Sequence, residues 1–236
     1  MGFNGTYYNV DGERYPRVTS ILGVLDKPFL SRWQLNKMGE CIKEDYLTLI
    51  ENGRHIDIDL LIDKGKKHPN VMRDMAGARG TYLHSIFEKR FKCEALDDVM
   101  INDEKVQPFI YAVNNWIEEH KIEALDVEMQ LVSKKHKFAG TCDLVCWHEQ
   151  EGKPRALAII DLKSGKGTYD THRLQLAAYS MAYEEMTGTR PDISFILHAK
   201  NDTLKEQTHI HYHEIPKEFD TFLKVYDLWK WRGGKA

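Results

Sequence analysis

Eight residues constrain this chain more than any others. Ala156-Leu157-Ala158-Ile159-Ile160 is continuously apolar and runs straight into Asp161-Leu162-Lys163. A short apolar run without alternation reads as a strand buried on both faces. Such a strand needs cover on each side. A carboxylate at the end of a buried strand is costly unless something compensates its charge. Side chains two apart share a strand face, so Asp161 and Lys163 project together while Leu162 points back to the core. Alone, an Asp-x-Lys is an ordinary surface ion pair.

The surrounding pattern places this strand third in a block. Residues 124–133 and 138–148 read as strands, with Lys134-Lys135-His136-Lys137 turning the chain between them. Residues 149–154 turn it again, so an antiparallel meander is expected over the three. A helix is predicted over 168–187, strands over 193–199 and 208–215, and an aromatic-rich helix over 217–231. Upstream, Asp11-Gly12 marks a β-hairpin over 6–19. Helices are predicted over 20–36 (interrupted at Pro28), 40–51, 72–91 and 105–120. In 52–70, Ile56, Ile58, Leu60 and Ile62 alternate, a pattern that fits a strand or a loose helix. The expected division is a hairpin and helical region at 1–71, which would select the substrate, and a core at 72–236. No repeat or low-complexity tract is present.

Asp143 supplies a companion to Asp161. It lies amid apolar residues in Ala139-Gly140-Thr141-Cys142-Asp143-Leu144-Val145. Second and third strands of a meander can be neighbours, so the two carboxylates can converge. Convergent carboxylates repel, and a divalent cation relieves the repulsion. Oxygen ligands with room for water suit Mg²⁺ or Mn²⁺. On this reading, Asp161→Asn should steady the metal-free protein by removing a repelling charge. Lys163 would orient or activate a water, or stabilise phosphate charge. His84 and Glu88, four apart on a helix, share one face, as do Gln175 and Tyr179. Ser164-Gly165-Lys166-Gly167 is a flexible, positively charged turn. His209, His211 and His213 alternate, nearly 7 Å apart along a strand, a spacing that could just bracket a metal but reads first as a solvated sheet face.

Composition narrows the setting. The 236 residues carry a net charge of −3, unlike the basic surface of a protein that coats nucleic acid. An enzyme that touches nucleic acid only briefly needs no such excess. No apolar run approaches the roughly 18 residues of a membrane span. The polar, acid-bearing start fits neither a signal nor a transit peptide, although Met1 to Thr6 matches the short, common myristoylation pattern. Cys41, Cys93, Cys142 and Cys146 contain no CxxC pair, so a zinc knuckle is not indicated. They read as small hydrophobes in a reducing cytosol.

The order of these features resembles a known family. A helical histidine, then G-x-x-D, then I-I-D-x-K-S-G, then Q-L-A-A-Y is similar to the RecB-type nucleases of the PD-(D/E)XK superfamily, over about Arg79 to Tyr183. Tyr15-Pro16-Arg17-Val18-Thr19-Ser20-Ile21-Leu22, followed by Leu30-Ser31-Arg32-Trp33, resembles the entry segment of mitochondrial genome maintenance exonucleases and related phage nucleases. That group usually has Ser where this chain has Arg17. The resemblance implies an α/β fold with a restriction-endonuclease-like core, a central mixed sheet flanked by helices, and an N-terminal helical region. It implies that His84, Asp143, Asp161 and the Leu162 carbonyl ligate Mg²⁺ or Mn²⁺, as one or two ions. Lys163 would be catalytic, Glu128 would match a first-strand acid, and Gln175 and Tyr179 would support the site or contact DNA. CRISPR-adaptation nucleases share the core but hold an iron–sulfur cluster through late cysteines. Nothing after Cys146 is a cysteine, so no such cluster is expected.

The implied reaction is phosphodiester hydrolysis, with cations stabilising the developing charge and the leaving oxygen. Arg17, Lys27, Arg32, Arg73, Arg79, Lys166 and Arg173 are candidates to bind phosphates. Trp33, Tyr82 and Tyr169 could stack bases of a single strand. Three activities compete: a DNA exonuclease in recombination, repair or genome maintenance; a structure-specific endonuclease on the same core; and a nucleic-acid-binding module that does not cleave. The set His84, Asp143, Asp161 and Lys163 argues against the last. The expected partner is single-stranded DNA rather than a membrane, in the cytoplasm of a bacterial or phage-infected cell.

Overall fold

The computed structural model describes residues 2–25, 28–149, 152–200 and 203–234. Lys27 lies outside these, as do residues 150 and 151 of the turn expected over 149–154. The chain opens with a three-stranded antiparallel sheet of β1 (Gly2–Asn4), β2 (Tyr7–Val10) and β3 (Glu13–Pro16). Asp11 and Gly12 take φ of 53° and 83°, as a two-residue type I′ hairpin requires. The expected hairpin is therefore present, with β1 added to its edge. A short helix, α1 (Val18–Leu22), follows.

The interruption expected at Pro28 is present: α1 ends at Leu22, and a second helix begins with the proline. α2 runs unbroken from Pro28 to Glu51 and includes the separate helix predicted over 40–51. A proline is tolerated in a first helical turn because its missing N–H would have no partner there. α3 (Ile58–Phe91) carries Pro69 in its interior. The alternating Ile58 and Leu60 belong to this helix and are exposed. Two compact units divide the chain: Asp26–Thr81 forms one, and Met1–Leu25 with Tyr82–Ala236 forms the other. Within the helical unit, Gly65 lets α3 approach Ile42 of α2, where a Cβ would stand 2.6 Å from Ile42 Cγ1. Lys64 also pairs there with Asp45 at 2.7 Å.

The larger unit continues with α4 (Asp98–Asn102), which the sequence did not announce. Its Asp97 N-cap accepts from the Met100 N–H. α5 (Gln107–Glu119) follows, then β4 (Glu123–Ser133), β5 (Phe138–His148) and β6 (Ala156–Lys163). α6 (Asp170–Thr187) crosses to β7 (Ile193–Lys200), which pairs parallel with β6. β8 (Thr203–His211) and α7 (Ile215–Trp231) close the chain. The five strands lie in the order β4-β5-β6-β7-β8. All other neighbours are antiparallel, so the sheet is mixed. The meander over β4 to β6 matches the expectation.

The last strand lies earlier than the predicted 208–215. As the edge strand of the sheet, β8 carries charged and polar residues that hide its alternation. A bulge beside Thr208, at φ 55°, shifts its register. β6 is buried along its interior, as its apolar run requires. Alternate β6 residues feed two cores. Leu157 and Ile159 join α1, α6 and α7, while Ala158, Ile160 and Leu162 join the end of α3 and α5. Among the described residues, no helix is long and apolar enough to cross a membrane.

Candidate active site

The site forms where β5 and β6 part. Their pairing ends at Leu144↔Ile160, one step before Asp143 and Asp161. Beyond that point the Asp143 side chain takes the place of a main-chain partner, and its Oδ2 accepts the Leu162 N–H. Its Oδ1 lies 3.1 Å from His84 Nδ1, which the last turns of α3 bring to the sheet. Glu128 of β4 falls opposite Asp143, between the pairs Val127↔Leu144 and Met129↔Cys142. Its φ is 54°, a left-handed conformation uncommon for any residue with a Cβ. Donor atoms of His84, Glu128 and Asp143 all lie within 4.8 Å of one another.

Asp161 and Lys163 share the α6 face of β6, as their spacing predicts. The Lys163 ammonium pairs with Asp161 Oδ2. That oxygen is buried and has no hydrogen bond, so the ion pair is its compensation. Asp161 Oδ1 accepts from Gln175 Nε2 at 2.8 Å, and the same amide donates to Tyr179 Oη at 3.0 Å. Gln175 and Tyr179 are themselves buried, so they brace Asp161 from beneath. The pairing also reverses one expectation. Asp161→Asn would strand the Lys163 ammonium beside an amide, so it offers no gain in metal-free stability.

Electrostatics separate the carboxylates. Burial pushes Asp161 up to about 6, against the pull of Lys163 and with help from the Asp143 charge. Burial, then the charge of Asp143, pushes Glu128 up to about 7. Burial would raise Asp143 too, but His84, Lys163 and the Leu162 N–H outweigh it and hold its carboxyl below the usual range. Carboxylates crowded in this way, one with a buried oxygen that lacks a hydrogen bond, and a histidine beside them suit a divalent cation. His84, Glu128 and Asp143 have donor atoms close enough to share one, while the oxygens of Asp161, on the neighbouring strand, face Gln175 and Lys163.

Gly140 opens the G-x-x-D motif for a reason the motif alone does not show. A Cβ there would stand 2.4 Å from Tyr179 Cε1. Gly140→Ala should therefore displace the ring and loosen the Gln175 brace on Asp161. The expected cost is about 1–3 kcal/mol, read as a Tm lower by several degrees with a parallel loss of turnover. An unchanged Tm would show that the ring is free to move.

The phosphate and base candidates fare unequally. Arg173 is engaged with Glu214 and Glu218, each at 3.0 Å, and with the His209 carbonyl. It ties α6 to α7 and β8 and does not meet the carboxylates. Arg17 donates to the Gly5 carbonyl and lies over the Tyr8 ring. Arg73 pairs with Asp74. Lys166, Arg32 and Arg79 are exposed, and Trp33 is half-buried. Tyr82 turns its hydroxyl into the protein, where it is buried without a hydrogen bond, while Tyr169 is exposed. Glu88 pairs with Lys92 along α3.

A family model described as the PD-(D/E)XK nuclease superfamily matches residues 104–227, just over half of the chain. The chain belongs to the PD-(D/E)XK nuclease superfamily. Within this PD-(D/E)XK member, the matched span holds Glu128, Asp143, Asp161, Lys163, Gln175 and Tyr179, whereas His84 precedes it. Three solved structures are distantly similar. SSO0001 is 10% identical, with 61% of this chain and 85% of that chain covered, at a TM-score of 0.27. The alkaline exonuclease LHK-Exo from Laribacter hongkongensis is 13% identical, with 63% and 79% covered, at 0.29. Its complex with dAMP is 12% identical, with 65% and 84% covered, at 0.26. No curated protein matches the chain.

Proposed function

We propose that this protein is a divalent-metal-dependent deoxyribonuclease that degrades DNA from a free end and prefers a single strand, in recombination, repair or genome maintenance. The observation that carries the reading is the parting of β5 and β6. It gathers His84, Glu128 and Asp143 within 4.8 Å, with the Asp161–Lys163 pair on the neighbouring strand. His84, Asp143 and Asp161, with the Leu162 carbonyl, would hold Mg²⁺ or Mn²⁺, with Glu128 beside them. When bound, the cation stabilises charge that develops on the phosphate and its leaving oxygen. Lys163, presented as an ammonium by Asp161, donates to a phosphate oxygen and orients the attacking water. Gln175 and Tyr179 keep Asp161 in place. Residues 1–71 select the substrate and 72–236 form the nuclease core. Arg32, Arg79 and Lys166 supply exposed phosphate contacts, and Trp33 a base platform.

The test compares end-labelled linear and covalently closed circular single-stranded DNA. With Mg²⁺ or Mn²⁺, the linear strand should be consumed and the circle should persist. Excess EDTA should abolish the activity, and restored cation should return it. A circle cut as fast as the linear strand would make the protein an endonuclease. Undiminished cleavage in EDTA would remove the metal from the reading, and intact DNA under every condition would leave a binding module.

A further inference from the structure

A second polar cluster lies on the opposite side of the sheet from Asp161 and Lys163. His120 follows α5, His148 ends β5, and Glu206 lies in β8. Their donor atoms also fall within 4.8 Å of one another. We infer that these three residues form a metal site separate from the nuclease centre, for Zn²⁺ or a cation of the same ligand preference.

The first argument is the donor set. Two imidazoles and one carboxylate suit a borderline transition metal better than Mg²⁺, which prefers oxygen and retains water. The second is geometry. A tetrahedral ion with bonds of about 2.0–2.1 Å sets its donors roughly 3.4 Å apart. His148 Nε2 stands 2.7 Å from Glu206 Oε1, and His120 Nε2 stands 3.6 Å from the same oxygen. These spacings bracket what an ion requires, so small side-chain movements open the site. The two imidazoles already stack, with centroids 4.9 Å apart, which brings their edges to one place.

The third argument is what the protein alone leaves unsettled. His148 is 2% exposed, and the Glu206 side chain is 10% exposed. They lie among Trp116 and Phe195, where polar groups need partners. Glu206 finds several: Trp116 Nε1 donates to its Oε1 at 3.0 Å, and His209 Nε2 lies 3.3 Å from its Oε2. His120 is less well provided for. Its Nε2 is beyond hydrogen-bond distance of the carboxylate, and its Nδ1 is buried with no hydrogen bond. A cation on either nitrogen would give that ring a partner. Trp116 and His209 then hold the carboxylate in orientation, as the outer partners of metal ligands do.

The placement indicates a fastener rather than a reaction centre. The ligands come from the end of a helix, the end of a strand and the edge strand of the sheet. An ion would clip α5 and β8 to β5. None of these residues belongs to the cluster that holds Asp143, so this site stands or falls independently of the proposed nuclease activity.

The test uses the full chain carrying Asp143→Asn, which weakens the nuclease centre as a competing site. Zn²⁺ alone is titrated by calorimetry, and Tm is followed in parallel. One ion per chain is expected, with Tm raised by roughly 5–10 °C at about a hundredfold excess over Kd. Co²⁺ should give the visible absorption of a low-symmetry site. His120→Ala in the same chain should weaken Zn²⁺ about tenfold or more and remove the Co²⁺ band. That change costs no hydrogen bond at Nδ1, and far-UV circular dichroism checks the fold. Glu206→Gln, judged in the same way, provides a second variant. In the otherwise unaltered chain, His120→Ala should leave Mg²⁺-supported cleavage unchanged. No Zn²⁺ uptake by the Asp143→Asn chain would overturn the site, as would uptake of equal affinity in folded His120→Ala.

Discussion

Lys163→Ala is expected to lower the cleavage rate by about two to four orders of magnitude while Mn²⁺ still binds. Lysine donates nothing to a cation, so His84, Asp143 and Asp161 keep their ligand atoms. The change removes the ammonium that pairs with Asp161 Oδ2 and that, in the proposed mechanism, faces the phosphate. Asp161 is then left buried beside Asp143 with only the Gln175 hydrogen bond. The metal-free variant should therefore melt earlier than the wild type, and Mn²⁺ should recover much of the difference by supplying the lost positive charge. Calorimetric Mn²⁺ titration beside single-turnover cleavage separates the two effects. Wild-type cleavage by Lys163→Ala would return the Asp-x-Lys to an ordinary ion pair.

Asp143→Asn has the opposite signature, with metal affinity and turnover falling together. The amide is nearly isosteric and can keep both local contacts. Its oxygen accepts from the Leu162 N–H, and its NH₂ faces His84 Nδ1, where the carboxylate oxygens now sit. The fold should survive with Tm changed by only a few degrees. What disappears is an anion that His84, Lys163 and Leu162 together hold below the usual carboxylate range. The proposed centre loses the carboxylate that its neighbours hold lowest, whereas burial pushes Asp161 and Glu128 upward. Turnover should drop by about two or more orders of magnitude at fixed Mg²⁺, with partial recovery at high Mn²⁺. Unaltered Mn²⁺ affinity would remove Asp143 from the ligand set.

The legible part of the molecule was the part governed by short periods. The run through Ile160 into Asp161-Leu162-Lys163 declares its strand, its double burial and the shared face of Asp161 and Lys163. Gln175 and Tyr179 are one helical turn apart, so their shared face was readable too. Their target was not. That Gln175 reaches Asp161 depends on how α6 returns over the sheet, which no local pattern encodes. Arg173 shows the same limit: its acids, Glu214 and Glu218, lie on another element. The alternation of His209, His211 and His213 suggested one solvated face. Instead β8 ends at His211, His209 turns to Glu206, and the His211 and His213 rings stack. His120 and His148 gave no signal, because each is a lone histidine until the fold brings them together.

Asp143 spends one carboxylate oxygen closing the gap that β5 and β6 leave between them. Its Oδ2 already serves the Leu162 N–H, and each carboxylate oxygen has two lone pairs, so a cation in the proposed centre would share that oxygen or take the other one. A shared oxygen would weaken the bond across the seam, and a cation on the other oxygen would leave it intact. Exchange of the Leu162 amide hydrogen, with and without Mn²⁺, would tell the two apart.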